Sequence, residues 1–354
     1  MIAFRKRASV ALAVSAVIAA ACQRAEQPAP EGAAEERPGE GITIVAARPN
    51  WDTSFFDTEV VVKLLEELGY EVTPPEDKEL APEVFYPALA RGEVDFWAEG
   101  WFPLHDPFFE EEVPGVGTVA DAVSPVGMMV HAGALQGYLV DMASAEEHGV
   151  TSLSQIAEDP DLAAVYDRDG DGKADLIGCN EGWGCAVAID ELIEREGWED
   201  AIEHVQGEYS ALMVDTIARI ERGEPALYYT WTPNWTVGAL VPGQDVVWIE
   251  APSPPGEDTA VSGVAGCVAD PCEMGFIPND LRIVANNDFL AENPAAAKLF
   301  ELIEIPVEDI NAQNLRMNEG ENTQEDIERH AEEWIAAHRD LVDGWLEEAR
   351  AAAG

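Results

Sequence analysis

One short pattern occurs twice in this chain, and it restricts the fold more than any other feature. Arg91 to Pro103 reads RGEVDFWAEGWFP, and Arg222 to Pro233 reads RGEPALYYTWTP. Each copy follows a segment with helical spacing and opens with Arg-Gly-Glu at the helix end. Each then runs through a short apolar strand and finishes in Trp-x-Pro. The chain therefore holds a tryptophan, first Trp101 and then Trp231, on a proline-stiffened loop just beyond a strand. In open α/β sheets, ligands bind in that place, outside the carboxyl ends of the strands.

The segments around the pattern support the same architecture. Gly41 to Ala47 (GITIVAA) is a β-branched run with strand character, and Thr58 to Leu68 (TEVVVKLLEEL) has helical spacing that Gly69 stops. Glu83 to Ala90 reads as helical despite Pro87, Glu93 to Trp97 as extended, Cys185 to Glu196 and Ala211 to Glu221 as helical, and Ala226 to Tyr229 as extended. Alternation of this kind predicts α/β lobes with largely parallel sheets. Length suggests about two domains. No second linker separates them, so the lobes should be intimately connected.

The N-terminus reads as an export signal: Arg5, Lys6 and Arg7, an apolar run from Ala8 to Ala21, then Cys22. The run is too short to span a bilayer. Ala19-Ala20-Ala21-Cys22 resembles a bacterial lipoprotein box, which predicts lipidation at Cys22, with ordinary cleavage nearby as the alternative. From residue 23 to 41 the chain is mostly Ala, Glu, Pro and Gly, which cannot bury enough surface to offset its ordering entropy, so a disordered tether is expected.

With 20 basic against 69 acidic residues the net charge is −49. Nucleic acid is excluded as a partner, because its phosphates would be repelled. Self-repulsion of this size is easiest to tolerate where salt shortens the Debye length to about 3 Å at 1 M, which suggests a halophilic host. Beyond Cys22 the cysteines are Cys179 with Cys185, and Cys267 with Cys272. Four cysteines allow three pairings, but close spacing in an exported chain favours two small disulfide loops, with free thiols as the competing reading. Neither pair has the CxxC spacing of a zinc or redox site.

Trp183 sits between Gly182 and Gly184 inside the first cysteine loop, just before a helix starting near Cys185. Glycines let a backbone approach a ligand, and helix N-terminal amides favour an anion. A tryptophan face beside such a cradle suits a zwitterion. A quaternary ammonium cannot donate hydrogen bonds, so a protein recognises it mainly by enclosing it in aromatic faces. His105, four residues beyond Trp101, could donate to a carboxylate at the other end. Asp167, Asp169, Asp171 and Asp175 have calcium-loop spacing, but Gly178 stands where the bidentate acid is usual; a polar turn beside the ligand loop, without metal, is expected.

GWFPLHD, LQGYLVD, DRDGDGKADLIGCNEGWGC, YYTWTPNW, GQDVVWIEAP and NPAAAKLFELIEIPVEDINAQN, in order from about Gly41 to the C-terminus, resemble the glycine betaine/proline betaine binding component of an osmoprotectant ABC importer. The resemblance implies a periplasmic binding protein fold of type II, two α/β lobes joined by two crossovers with the ligand in the cleft. It also implies a box of Trp101, Trp183 and Trp231 around the ammonium, with His105 and the amides of Gly184 and Cys185 on the carboxylate. Three features depart from the family: Trp51, which is either lobe packing or a fourth wall; Phe102 in place of a small polar residue; and the pair Cys267 and Cys272 in a region that is normally a plain loop.

The expectation is thus a binding protein without catalysis or cofactor. Residues 42–134 with 250–354 should form one lobe and residues 135–249 the other. The protein should lie in the periplasm or on the outer face of the cytoplasmic membrane, lipid-anchored and delivering its ligand to a membrane permease with its ATPase. A choline or carnitine binder of the same fold is the nearest alternative. A secreted hydrolase using His105 is the more distant one, and no GxSxG or HExxH motif supports it.

Overall fold

The computed structural model describes residues 37–354. The expected signal segment, Cys22 and most of the expected tether lie outside the described residues. The tether stops earlier than residue 41. Gly39 is buried against the Tyr70 ring, where an added Cβ would come within 2.4 Å, and its N–H donates to the Leu68 carbonyl at 3.0 Å. Composition misses this because the ordering is supplied by a partner 31 positions away.

The first helix, Phe55–Glu67, begins three residues before the expected start and ends where glycine requires it. Gly69 has φ +96°, and its N–H reaches back to the Glu66 carbonyl at 2.9 Å. The Pro82–Ala90 helix tolerates Pro87 in its interior and carries Pro82 in its first turn. Near the C-terminus, Gln324–Ala337 packs on Phe55–Glu67, and Arg339–Ala352 packs on Pro294–Leu302, so the last part of the chain returns to cover the first described α-helix.

The principal sheet has seven strands. In spatial order they are Ile202–Val205, Ala174–Ile177, Leu227–Thr232, Val123–Asp141, Asn279–Asn286 and Phe96–Phe102, with Val246–Ile249 also paired to Val123–Asp141. The 19-residue strand Val123–Asp141 divides its partners along its length. Val123 to Ala134 faces Asn279–Asn286, whereas Leu135 to Asp141 faces Leu227–Thr232 and Val246–Ile249. Gly137 to Asp141 is buried throughout, as expected of a strand flanked on both edges.

The expected predominance of parallel pairing is corrected. Ile202–Val205, Ala174–Ile177 and Leu227–Thr232 are mutually parallel, but every pairing of Val123–Asp141 is antiparallel, as is Asn279–Asn286 with Phe96–Phe102. Helix–strand alternation reveals that a crossover exists. It does not reveal on which side of a long central strand the returning chain lands, or in which direction.

Candidate functional site

Both copies of the repeated pattern fold alike. The helices Pro82–Ala90 and Tyr209–Glu221 end at Arg91 and Arg222, followed by Gly92 at φ +69° and Gly223 at φ +73°. In each copy the arginine Nε donates to the glutamate two residues on, at 2.7 Å for Arg91 to Glu93 and 2.8 Å for Arg222 to Glu224. The strands that follow, Phe96–Phe102 and Leu227–Thr232, contain Trp101 and Trp231 as their next-to-last residues. The tryptophans thus stand on the strands themselves and not on the loops beyond, so ladder hydrogen bonds fix their direction.

The third element is the loop that leaves the Ala174–Ile177 strand. A disulfide joins Cys179 to Cys185 across it, and a second joins Cys267 to Cys272. Trp183 precedes the helix Gly184–Glu196 and gives it no side-chain cap, so the first amides of that helix lack the usual capping partner. The Trp183 Nε1 donates to Asn50 Oδ1 at 2.8 Å, which fixes the direction of the indole.

Trp101, His105, Trp183, Gly184, Cys185 and Trp231 all line one cavity with about 300 Å³ of empty space, part of it open to solvent. Trp231 stands nearly perpendicular to Trp101, with centroids 6.5 Å apart and 89° between planes, and to Trp183 at 5.8 Å and 79°. Trp51 joins the same wall, 5.3 Å from Trp183 at 75°. Phe102 is not among the lining residues; its ring stacks edge-on with Phe109 at 5.5 Å.

His105 is buried with a defined tautomer. The Trp101 backbone N–H can only donate, and it points at Nδ1 from 3.2 Å, so Nδ1 is the accepting nitrogen and the Tyr86 hydroxyl donates to it as well, at 2.9 Å. The proton therefore resides on Nε2. Burial pushes His105 down to about 3, so the ring is neutral at any ordinary pH. Its Cδ2 edge lies against Gly184, where an added Cβ would sit 3.4 Å away and meet Leu104 at 2.9 Å. One imidazole donor and one helix N-terminus thus line the same cavity as four tryptophans.

Sequence reasoning did not find Leu104, Gln136 and Tyr229 in the lining. Tyr229 was within reach, since side chains two apart on a strand share a face and Trp231 marks that face. Gln136 was not, because it is brought in as the cross-strand partner of Trp231. The acidic loop is a further correction. Asp167, Asp169 and Asp175 gather closely, as do Asp169, Asp171 and the unanticipated Glu203. They lie at the start of the Ala174–Ile177 strand, whereas the Trp183 loop leaves its end. Within that turn, the Gly170 and Gly172 amides donate to Asp167 and lower its pKa.

Residues 42–337 match the family model described as the substrate-binding domain of ABC-type glycine betaine transport systems. The glycine betaine-binding periplasmic protein OusX of Dickeya dadantii is 45% identical over 323 residues, covering 91% of this chain and 94% of that protein. The glycine betaine/proline betaine-binding periplasmic protein of Escherichia coli is 40% identical over 321 residues, covering 90% and 93%. Among solved structures, lactococcal OpuAC in its closed form with glycine betaine superposes with a TM-score of 0.64 at 19% identity, over 86% of this chain and 99% of that one. The fold is that of a type II periplasmic binding protein, and the chain belongs to the family of substrate-binding domains of ABC-type glycine betaine transport systems.

Proposed function

We propose that this chain captures glycine betaine or proline betaine outside the cytoplasm and presents it to an ABC importer. The observation that carries this reading is the convergence, in one cavity, of tryptophan faces with the Nε2 donor of His105 and the uncapped start of the Gly184–Glu196 helix. Trp101, Trp183 and Trp231, with Trp51 beside them, take the ammonium. His105 and the amides of Gly184 and Cys185 take the carboxylate. Three rings contribute roughly 2 to 6 kcal/mol at about 0.5 to 2 each. Micromolar binding needs about 8 kcal/mol, so the carboxylate end and exclusion of water supply the remainder.

The change of partners at Ala134 and Leu135 supports lobes of residues 42–134 with 250–354 and of 135–249. Periplasmic relatives support an exported protein, and the Ala19-Ala20-Ala21-Cys22 sequence supports Cys22 as its lipid anchor. The charge of −49 supports a high-salt setting, in which thermal stability climbs from low to molar salt as repulsion is screened. Calorimetric titration with glycine betaine, proline betaine, choline and carnitine tests the reading. Tight binding of the betaines, with ligand recovered chemically unchanged, is expected. Preference for choline would overturn the carboxylate assignment.

A further inference from the structure

Five acidic side chains are buried among the described residues, namely Asp57, Glu59, Glu99, Asp141 and Asp175. Three have evident support. Glu59 faces Lys63 at 3.5 Å, Asp141 accepts from the Ser144 and Ala226 amides at 2.8 and 3.0 Å, and Asp175 accepts from the Arg168 amide. Asp57 and Glu99 pair with no cation among the described residues. Both Asp57 oxygens and Glu99 Oε1 are fully enclosed without a hydrogen-bond partner, and Glu99 Oε2 accepts only the Trp51 Nε1 donor, at 2.5 Å. Leaving a carboxylate buried without a counter-charge is among the costliest arrangements a fold can contain.

This pair lies directly behind the cavity wall. Glu99 stands two residues before Trp101 on the Phe96–Phe102 strand, where the pairing with Asn279–Asn286 shifts register between Trp97 and Gly100. Trp51 packs 5.4 Å from Trp97 and donates to Glu99, while the same indole lines the cavity 5.3 Å from Trp183. We propose that Glu99 is the counter-charge for the ligand's quaternary ammonium, acting through Trp51: accepting the indole N–H makes that ring a richer cation–π face, and the cation missing beside the carboxylate arrives with the ligand. Glu99 is a positioning and specificity residue, since Trp51 intervenes between it and the ligand. This rests on the proposed quaternary ammonium site and adds to it a source of negative charge.

Among the described residues no other charged group competes for Glu99. Of the elements packed on its strand, Phe55–Glu67 presents Asp57; its Lys63 is held by Glu59 and Glu66. Arg48 of the neighbouring short strand pairs with Glu79, and Arg282 of Asn279–Asn286 donates to the Gly127 and Pro125 carbonyls. His105, 6.3 Å from Trp51, is neutral. Burial pushes Glu99 up to about 8, and burial together with the Glu99 charge raises Asp57 well above the usual carboxylate range. A cation arriving at Trp51 favours the ionised form, so binding near neutral pH releases a proton, and affinity grows as pH rises toward the Glu99 value.

Glu99→Gln keeps an oxygen for the Trp51 N–H and removes the charge, with an amide NH2 in place of the second oxygen. Titration of this variant with choline and with glycine betaine is expected to show roughly tenfold weaker binding, about 1.4 kcal/mol, with a larger loss for choline because its charge is not offset by a carboxylate. The wild type should bind choline and betaine more tightly at pH 9 than at pH 6, and calorimetry in two buffers of different ionisation enthalpy should register proton release that shrinks in the variant. A folded Glu99→Gln protein with unchanged affinity and an unchanged pH slope overturns the inference. If the variant does not fold, a wild type with flat affinity from pH 6 to 9 and no proton release overturns it equally. Failure of the wild type to bind any quaternary ammonium defeats the proposed function and this inference with it; betaine binding with no charge or pH effect defeats only the inference.

Discussion

The two copies of the helix–strand–tryptophan pattern share a backbone and differ in what stands behind the tryptophan. Two residues before Trp101 is Glu99, enclosed and facing Asp57; two residues before Trp231 is Tyr229, whose hydroxyl donates to Gln136 Oε1 at 2.6 Å. Behind Trp231 stands Tyr209, 4.5 Å from it, anchored through its hydroxyl to Thr230 Oγ1 at 2.7 Å. The second arm is therefore a neutral hydrogen-bond network, in which the Gln136 Nε2 and Trp231 Nε1 donors have no partner. The first arm carries the perturbed carboxylate Glu99 and the perturbed imidazole His105, whereas burial only raises the tyrosines Tyr209 and Tyr229 of the second arm and keeps them neutral. One supersecondary unit used twice gives two walls of like shape, and side chains alone assign them different electrostatic duties.

The sharpest way to break the comparison is at His105, which has no counterpart in the second arm. His105→Ala should weaken glycine betaine by about 1.5 to 3 kcal/mol, the usual cost of losing a charge-assisted hydrogen bond from a dry site, or roughly 10- to 150-fold. Choline should change far less. Equal losses for both ligands in titration would make His105 a support of the pocket and not a carboxylate donor.

If the arms are equivalent as aromatic walls, Trp101→Ala and Trp231→Ala should each lose at least about 1 to 2 kcal/mol of betaine affinity. Retained affinity in both variants would remove the box. A loss confined to Trp101 would show that the charged arm alone holds the cation.

The arms should also differ in pH response. Burial lowers His105 from 6.5 to about 3, so the folded state binds fewer protons there than the unfolded one, and stability falls as pH drops below about 6.5 toward 3. Glu99 is raised from 4.5 to about 8, so its contribution is full below about 4.5 and is lost as pH rises through about 8. One proton changes stability by at most about 1.4 kcal/mol per pH unit. Thermal melts should therefore be nearly level from pH 5 to 6.5, where the two slopes oppose each other, and decline along an alkaline limb from about pH 6.5 to 8; Glu99→Gln should flatten that limb and leave stability falling below about pH 6.5. An unaltered alkaline limb would show that the Glu99 proton is not the one involved.

The smallest effect belongs to the neutral arm. Tyr229→Phe removes the donor to Gln136 and should cost about 0.5 to 1.5 kcal/mol of stability, with the pH profile unchanged. A pH profile that shifts in this variant would contradict the assignment of all titration to the first arm.

What the sequence determined by itself is local. The stop at Gly69, the Arg-Gly-Glu helix ends, the short-spaced cysteine pairs and Trp183 ahead of its helix depend on residues a few positions apart, so spacing and residue type suffice. The same locality made Trp101, Trp183, Trp231 and His105 recognisable as site candidates before any coordinate was known. Tertiary structure alone decided everything that depends on register and direction. It set the antiparallel centre of the sheet, placed Gln136 opposite Trp231, docked Gly39 on Tyr70 and brought Trp51 over Glu99, 48 positions away. Asp57 and Glu99 read as ordinary surface acids in a chain carrying 69 of them, because nothing in residue type distinguishes a solvated carboxylate from an enclosed one. Burial is a property of the packed whole, and the electrostatics of this site follow from burial.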